Sequence, residues 1–166
     1  APTSSAVIAP LKDNDPLNGV STFDLVLINK HILGIEPLNS PYKMIAADAN
    51  NSRSITTFDI VELRRLILGI TTDLPSNTSW RFVDKNYVFP NPSNPFQDIF
   101  PETKEIVNPQ THQMFEDFVA VKTGDVNGNA VTNSMMFAEE RAIGTLLFDV
   151  EDRDVRPGEL FTVELR

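Results

Sequence analysis

Residues 48–59, DANNSRSITTFD, carry a side-chain oxygen at every odd position from the first to the ninth and close on a carboxylate at the twelfth. Calcium is a hard cation that takes six to eight oxygen ligands at about 2.3–2.6 Å. A helix-ended loop supplies them from positions 1, 3, 5, 7, 9 and 12, the seventh through its backbone carbonyl. In this run those positions are Asp48, Asn50, Ser52, Ser54, Thr56 and Asp59, with apolar Ile55 at position 8. One residue departs from the pattern: Arg53 holds position 6, where glycine usually permits the left-handed backbone of a sharp turn. The competing reading, less favoured by the spacing and the repeat, is a polar turn capping a helix, because aspartate and serine are also preferred caps.

The run ends in a motif that recurs. TFDLVLINKHILGI (22–35) aligns with TFDIVELRRLILGI (57–70) at an offset of 35 residues, with eight of fourteen positions identical. Counting back from Asp24 gives a first loop with Asp13, Asp15, Leu17, Gly19 and Ser21 at positions 1, 3, 5, 7 and 9. Val20 holds position 8 as Ile55 does, but Pro16 interrupts the first half and position 5 has no side-chain oxygen. Either the Leu17 carbonyl substitutes there, or the loop shifts so that Asn18 reaches in. A third run, GDVNGNAVTN (124–133), opens with Asp125, Asn127 and Asn129, yet its twelfth position is Met136 and no helix pattern follows. An Asn-Gly hairpin turn is the preferred account of it, with a third calcium near Asp125 as the alternative.

These loops need helices to hold them. Ile60, Leu63, Leu66, Ile67 and Ile70 recur in three- and four-residue steps, the period of an amphipathic helix. Gly34 and Gly69 stand where each helix should stop. SPYKMIAAD between the units predicts a short helix opened by Ser40 and Pro41. Two such short units must pack against each other to bury their stripes. Beyond about residue 75 the pattern turns to strands: Trp80, Phe82, Tyr87, Val88 and Phe89, then FEDFVAVK before the Asn-Gly turn, then two strands around Pro157-Gly158. FPNPSNPF (89–96), with three prolines, predicts an extended or turning segment. LFTVELR (160–166) alternates like a strand and stops without a turn, which suggests a chain that continues.

Composition narrows the function. The chain has 166 residues, 41% of them hydrophobic, and a net charge of −9. An acidic chain lacks the basic face that nucleic acid requires, and no apolar run approaches the ~20 residues of a membrane span. The absence of cysteine excludes disulfides and thiolate metal sites. There is no GxSxG, HExxH or phosphate loop, and His31 and His112 stand in a helix pattern and a polar stretch respectively, so no enzyme is expected.

A calcium loop closing on aspartate, duplicated within some 70 residues and followed each time by the TFD…ILG helix, resembles the dockerin family. It is similar to the dockerin-like modules of large secreted proteins of Bacteroidetes-type bacteria. The match covers roughly residues 11–70. The resemblance implies two Ca2+ ions stabilising a helical module that docks on another protein, a cohesin-type β-sandwich in cellulosomal relatives. It also implies a partner face built from Thr22, Phe23, Asn29 and Lys30 in one copy and Thr57, Phe58, Arg64 and Arg65 in the other. Phenylalanine at loop position 11 departs from the cellulosomal pattern, and burial of Phe23 and Phe58 in the core is the favoured alternative. VRPGELFTVELR resembles the first strands of a cohesin-like sandwich.

The expected architecture is α+β. Residues 1–75 form a dockerin-like module with repeats at 13–35 and 48–70, residues 76–134 a β-rich connecting region, and residues 135–166 the opening strands of a β-sandwich. The expected function is an extracellular, calcium-stabilised protein–protein interaction module of a secreted or cell-surface protein. Its partner is a cohesin-like sandwich or a neighbouring domain of the same polypeptide. The alternative is a segment of an extracellular fibre or adhesin that binds copies of itself through β-strands. Asn50 and Asn77 lie in N-x-S sequons.

Overall fold

The two copies of the repeated motif fold alike. Helix α1 spans Thr22–Ile32 and α3 spans Thr57–Ile67, eleven residues each, in a computed structural model that describes residues 5–108 and 116–132. Each helix starts at a hydroxyl residue, Ser21 or Thr56, whose backbone N–H and hydroxyl both donate to the aspartate three places on. Each ends at a glycine with φ +67°. The amide after that glycine reaches back to Lys30 O or Arg65 O, so the last carbonyls are satisfied and the chain turns away. Between them, α2 (Pro41–Ala47) opens at Ser40 and Pro41, as the sequence predicts.

Four short strands complete the described chain: β1 (Ser5–Ile8), β2 (Trp80–Asp84), β3 (Lys104–Val107) and β4 (Phe118–Lys122). They pair as two antiparallel ribbons. In one, Ser5 faces Val107 and Ile8 faces Lys104. In the other, Trp80 faces Lys122 and Asp84 faces Phe118. The class is mixed α+β. Both β1 and β3 fall outside the expected strands, and their alternation is weak: every residue of β1 but the last is exposed. FPNPSNPF is turning backbone as expected. The strands predicted around Pro157-Gly158, and the sandwich opening at 135–166, lie outside the described residues.

Packing joins helices to strands. Helices α1 and α3 pack together, and α2 packs on β4. Ile28, Ile45, Leu63, Leu66, Val83 and Val126 are fully buried in one continuous core. Contacts divide the chain into units 1–131 and 132–166, so the helices and the β2–β4 ribbon fall within the same unit. Among the described residues no helix is long and apolar enough to cross a membrane.

Candidate metal centre

The loop 48–59 is a cage wound around its own oxygens. Asp48 accepts the amides of Ser52 and Arg53, one on each carboxylate oxygen, both at 2.8 Å. Asn50 Oδ1 also accepts the Ser52 amide, at 3.0 Å. Asp59 closes the loop by accepting the Asn50 amide on Oδ1, at 3.2 Å, and the Thr56 amide on Oδ2, at 2.8 Å. Asn51 and Arg53 both take positive φ, 56° and 62°, which lets successive amides turn inward. From outside the loop, the Asn77 side-chain amide donates to Asp48 O at 2.8 Å.

Asp24 is the counterpart of Asp59, but what it closes is not the run 13–23. Its Oδ2 accepts the Ser21 amide and hydroxyl at 2.9 and 2.8 Å. Its Oδ1 accepts the amides of Val126 and Asn127, at 3.0 and 3.2 Å, from more than a hundred residues along the chain. There Asp125 accepts Asn129 N on Oδ1 at 3.3 Å and Ala130 N on Oδ2 at 2.8 Å, and Asn127 Oδ1 accepts Asn129 N at 3.1 Å. In these bonds Asp125, Asn127, Asn129 and Ala130 take the places of Asp48, Asn50, Ser52 and Arg53, and Asp125 Oδ1 additionally accepts Gly128 N at 2.7 Å. Ser21 and Asp24 take those of Thr56 and Asp59. The second cage is a composite, its opening half at 125–131 and its closing half at 20–24.

Where the contiguous loop has a peptide bond between Ser54 and Ile55, the composite loop has two separate segments of the chain, ending at Val131 and starting at Val20. Asn18 joins them. Its side-chain Nδ2 donates to Val131 O at 2.8 Å and its Oδ1 accepts the Val131 amide at 2.9 Å. Gly19 lies so close to this junction that a Cβ on it would stand 2.6 Å from the Ala130 Cα.

The expected first half of the repeat goes elsewhere. Asp13 and Asp15 are exposed. Asp13 Oδ1 accepts the Ser79 amide at 2.7 Å, tying the segment to the start of β2. Asp15 starts a turn with φ 55°, in which its carbonyl accepts the Asn18 amide. Leu17 O, proposed as a ligand, accepts the Val20 amide at 3.0 Å. Pro16 O accepts Lys122 Nζ at 2.7 Å. Of the expected first set, the structure brings Ser21 and Asp24 together as a pair and sets Asp13, Asp15 and Leu17 apart from them. Asp125, Asn127 and Asn129, read from the sequence as an Asn-Gly turn in preference to a metal loop, are the residues the structure brings beside Asp24. Their signal, DVNGN, is visible, but its closing carboxylate lies upstream instead of at Met136.

The electrostatics of the two cages are unusual. Asp24, Asp48 and Asp59 have no exposed surface and Asp125 is 8% exposed, yet none forms an ion pair with another described side chain. Burial pushes the Asp48 carboxyl above its ordinary pKa against the amides of Arg53 and Ser52, and the Asp59 charge adds to the push. Two cations sit nearby, each engaged elsewhere. Arg81 forks onto Glu102 at 2.9 and 2.8 Å and reaches Asn51. Lys122, almost fully buried, donates to Pro16 O and Thr123 O, and burial lowers its pKa to about 8 despite Asp125, Asp15 and Asp13.

Among the described residues no group of three or more His, Cys, Asp or Glu side chains is placed to hold a metal. Each cage instead offers two carboxylates with amide, hydroxyl and carbonyl oxygens, an all-oxygen donor set that fits a hard cation and not a thiolate- or imidazole-binding metal.

The expected partner residues occupy the outer face of the helix pair. Phe23 and Phe58 are 58% and 72% exposed, so neither lies in the core. Their exposure follows from helical phase: each precedes the buried aspartate, and Ile28 and Leu63 carry the inward face. Val26 and Val61, Leu33 and Leu68, and Ile35 and Ile70 repeat that exposure in matching pairs. A groove of about 530 Å³ runs between the helices, lined by Leu25, Val26, Ile60 and Ile67 and edged by Asn29, Lys30 and Arg64. His31 stands where α3 has buried Leu66, and its Nδ1 accepts the Leu38 amide at 3.1 Å.

No protein-family model, characterised protein or solved structure matches this chain.

Proposed function

We propose that the chain is an extracellular, calcium-stabilised interaction module of the dockerin-like kind, with two calcium sites of unequal construction. The observation that carries this reading is the four buried aspartates, none of which forms an ion pair with a described side chain. A buried charge must be paired or coordinated to offset its lost hydration, and each pair here sits in a ring of oxygens in calcium-loop order. In the contiguous site Asp48, Asn50, Ser52, the Ser54 carbonyl, Thr56 and Asp59 would hold the ion. In the composite site the corresponding groups are Asp125, Asn127, Asn129, the Val131 carbonyl, Ser21 and Asp24. The ion would supply charge neutralisation and a cross-link. At a hundredfold excess over its dissociation constant, one site would add about 2.7 kcal/mol to stability.

The docking surface is the paired apolar face of α1 and α3. Contiguous exposed apolar surface on this scale is typical of contact sites. On a chain of net charge −9, the edge of the face carries the basic residues Lys30, Arg64 and Arg65. A folded domain with an apolar surface and an acidic rim, of the β-sandwich kind, fits it. A self-associating role finds support in the β1–β3 ribbon, which has no third strand among the described residues and so offers edges for strand addition.

Calorimetric titration of the whole chain with calcium tests the reading. Two binding events are expected, one lost in Asp59→Ala and the other in Asp24→Ala. A folded protein that takes up no calcium would end it.

A further inference from the structure

Arg53 occupies the loop position at which a side chain is a burden, and its side chain leaves the loop. Its backbone, at φ +62°, delivers an amide to Asp48 Oδ2 at 2.8 Å. Its guanidinium Nη2 donates to two carbonyls of a distant segment, Phe96 O at 2.6 Å and Asp98 O at 2.8 Å. One residue therefore grips the metal cage with its main chain and the surface segment 89–101 with its side chain.

That segment is built to be held at a few points. Phe89 and Phe100 are buried at its ends, 8% and 7% exposed. Between them Asn91, Ser93, Asn94 and Asp98 face solvent, and Ile99 is 83% exposed. Its internal order is two turns, Asn94 N to Asn91 O and Gln97 N to Asn94 O. Between those ends Pro95 is buried and Phe96 packs partly buried against the core, while the residues on either side face solvent, and the two Arg53 bonds land at the junction, on the carbonyls of Phe96 and exposed Asp98. Both bonds come from one nitrogen, Nη2, held in the guanidinium plane at the far end of the side chain, a position that a lysine ammonium, one bond shorter and free to rotate, does not reach.

We infer that Arg53 is a strut that transmits occupancy of the 48–59 loop to the surface segment 89–101. The inference rests on the calcium reading above and adds to it a consequence outside the loop. An ion drawn to Asp48 fixes the cage, the cage fixes the Arg53 main chain, and the anchored guanidinium fixes the Phe96 and Asp98 carbonyls. The module then presents, beside its metal site, a proline-rich surface whose shape depends on the metal. An Arg at this position has a reason to be there that glycine could not supply.

Hydrogen exchange of the full chain with and without calcium, read at the Asn94 and Gln97 amides, tests the strut in wild type, Arg53→Gly and Arg53→Lys. Calorimetry on the same samples reports calcium uptake. Glycine suits φ +62°, so R53G is expected to keep the fold and both binding events. The expected result is calcium-dependent slowing of exchange at both amides in wild type and its loss in both variants. Equal slowing in variants that still bind calcium would overturn the strut and leave the calcium reading standing. Absence of calcium uptake by wild type would overturn both. Should R53G lose its folded circular dichroism, R53K carries the same test with the same outcomes.

Discussion

The loop 48–59 and the composite loop share their main carboxylate and Asn hydrogen bonds, yet one closes within twelve positions and the other across more than a hundred. In the first, the carboxylates of Asp48 and Asp59 draw their hydrogen bonds from within the same twelve residues. The second needs α1, the β2–β4 ribbon and the 125–131 turn all in place before Asp24 meets the amides it accepts. Closure entropy rises only slowly with the length of chain enclosed, so the composite site is not much costlier at equilibrium. What differs is its dependence on the rest of the fold. A local site reports on itself, and a composite site reports on the assembly of the whole unit.

The sharpest way to break the comparison is to remove the closing carboxylates. Asp24→Ala strands four buried or part-buried donors, of Ser21, Val126 and Asn127, and should destabilise the chain by about 3–5 kcal/mol. It should also free residues 116–132 to proteases, whereas Asp59→Ala should leave that segment protected. Equal proteolysis of the two variants would mean that the composite loop is not a tie across the unit.

Gly19→Ala sharpens the contrast, because the contiguous loop has no such junction. A Cβ there meets Ala130 backbone at 2.6 Å and φ is +74°, so a loss of about 2–4 kcal/mol is expected. Calorimetry should show one calcium event weakened and the 48–59 event intact.

Lys122 gives the composite side a pH signature. Its pKa falls from 10.5 in the open chain to about 8 in the fold, so between these values the unfolded chain binds more protons. Stability should therefore be penalised below about pH 8 and rise by about 1–3 kcal/mol towards pH 10.5. Urea denaturation at pH 7.5 and 9.5 should show that slope in wild type, and Lys122→Met should flatten it.

The smallest effect is expected at Gly128, at φ +81° with open space around its Cα. Gly128→Ala should cost about 1 kcal/mol through backbone strain alone. A larger loss by thermal denaturation would mean that the 125–131 turn is more tightly packed than its surroundings suggest.

Legibility in the sequence followed the range of the forces involved. Both repeat helices, their glycine stops, α2 with its Ser40–Pro41 start, and β2 and β4 all follow from local periodicity and capping. So do the contiguous loop's hydrogen bonds, whose donors and acceptors all lie within twelve residues. The expected register of the first loop was carried back from Asp24 along the chain, whereas two of the amides that Asp24 accepts come to it through space, from Val126 and Asn127. DVNGN was discounted for lacking a carboxylate at Met136, a test that only a contiguous loop must pass. Phe23 and Phe58 were favoured for the core on hydrophobicity, and the helical phase set by Asp24 and Asp59 turned them outward. The ribbon of β1 with β3 has almost no periodic signal, since its pairing depends on a partner about a hundred residues away.

The Asn18–Val131 junction also sets an order of events during synthesis. At about 5–20 residues per second, α1 leaves the ribosome roughly 5–20 s before Val131 does. Throughout that interval Asp24 can cap its helix but has nothing to close upon. The contiguous loop can be complete early, while the composite loop is among the last parts of the unit that can lock.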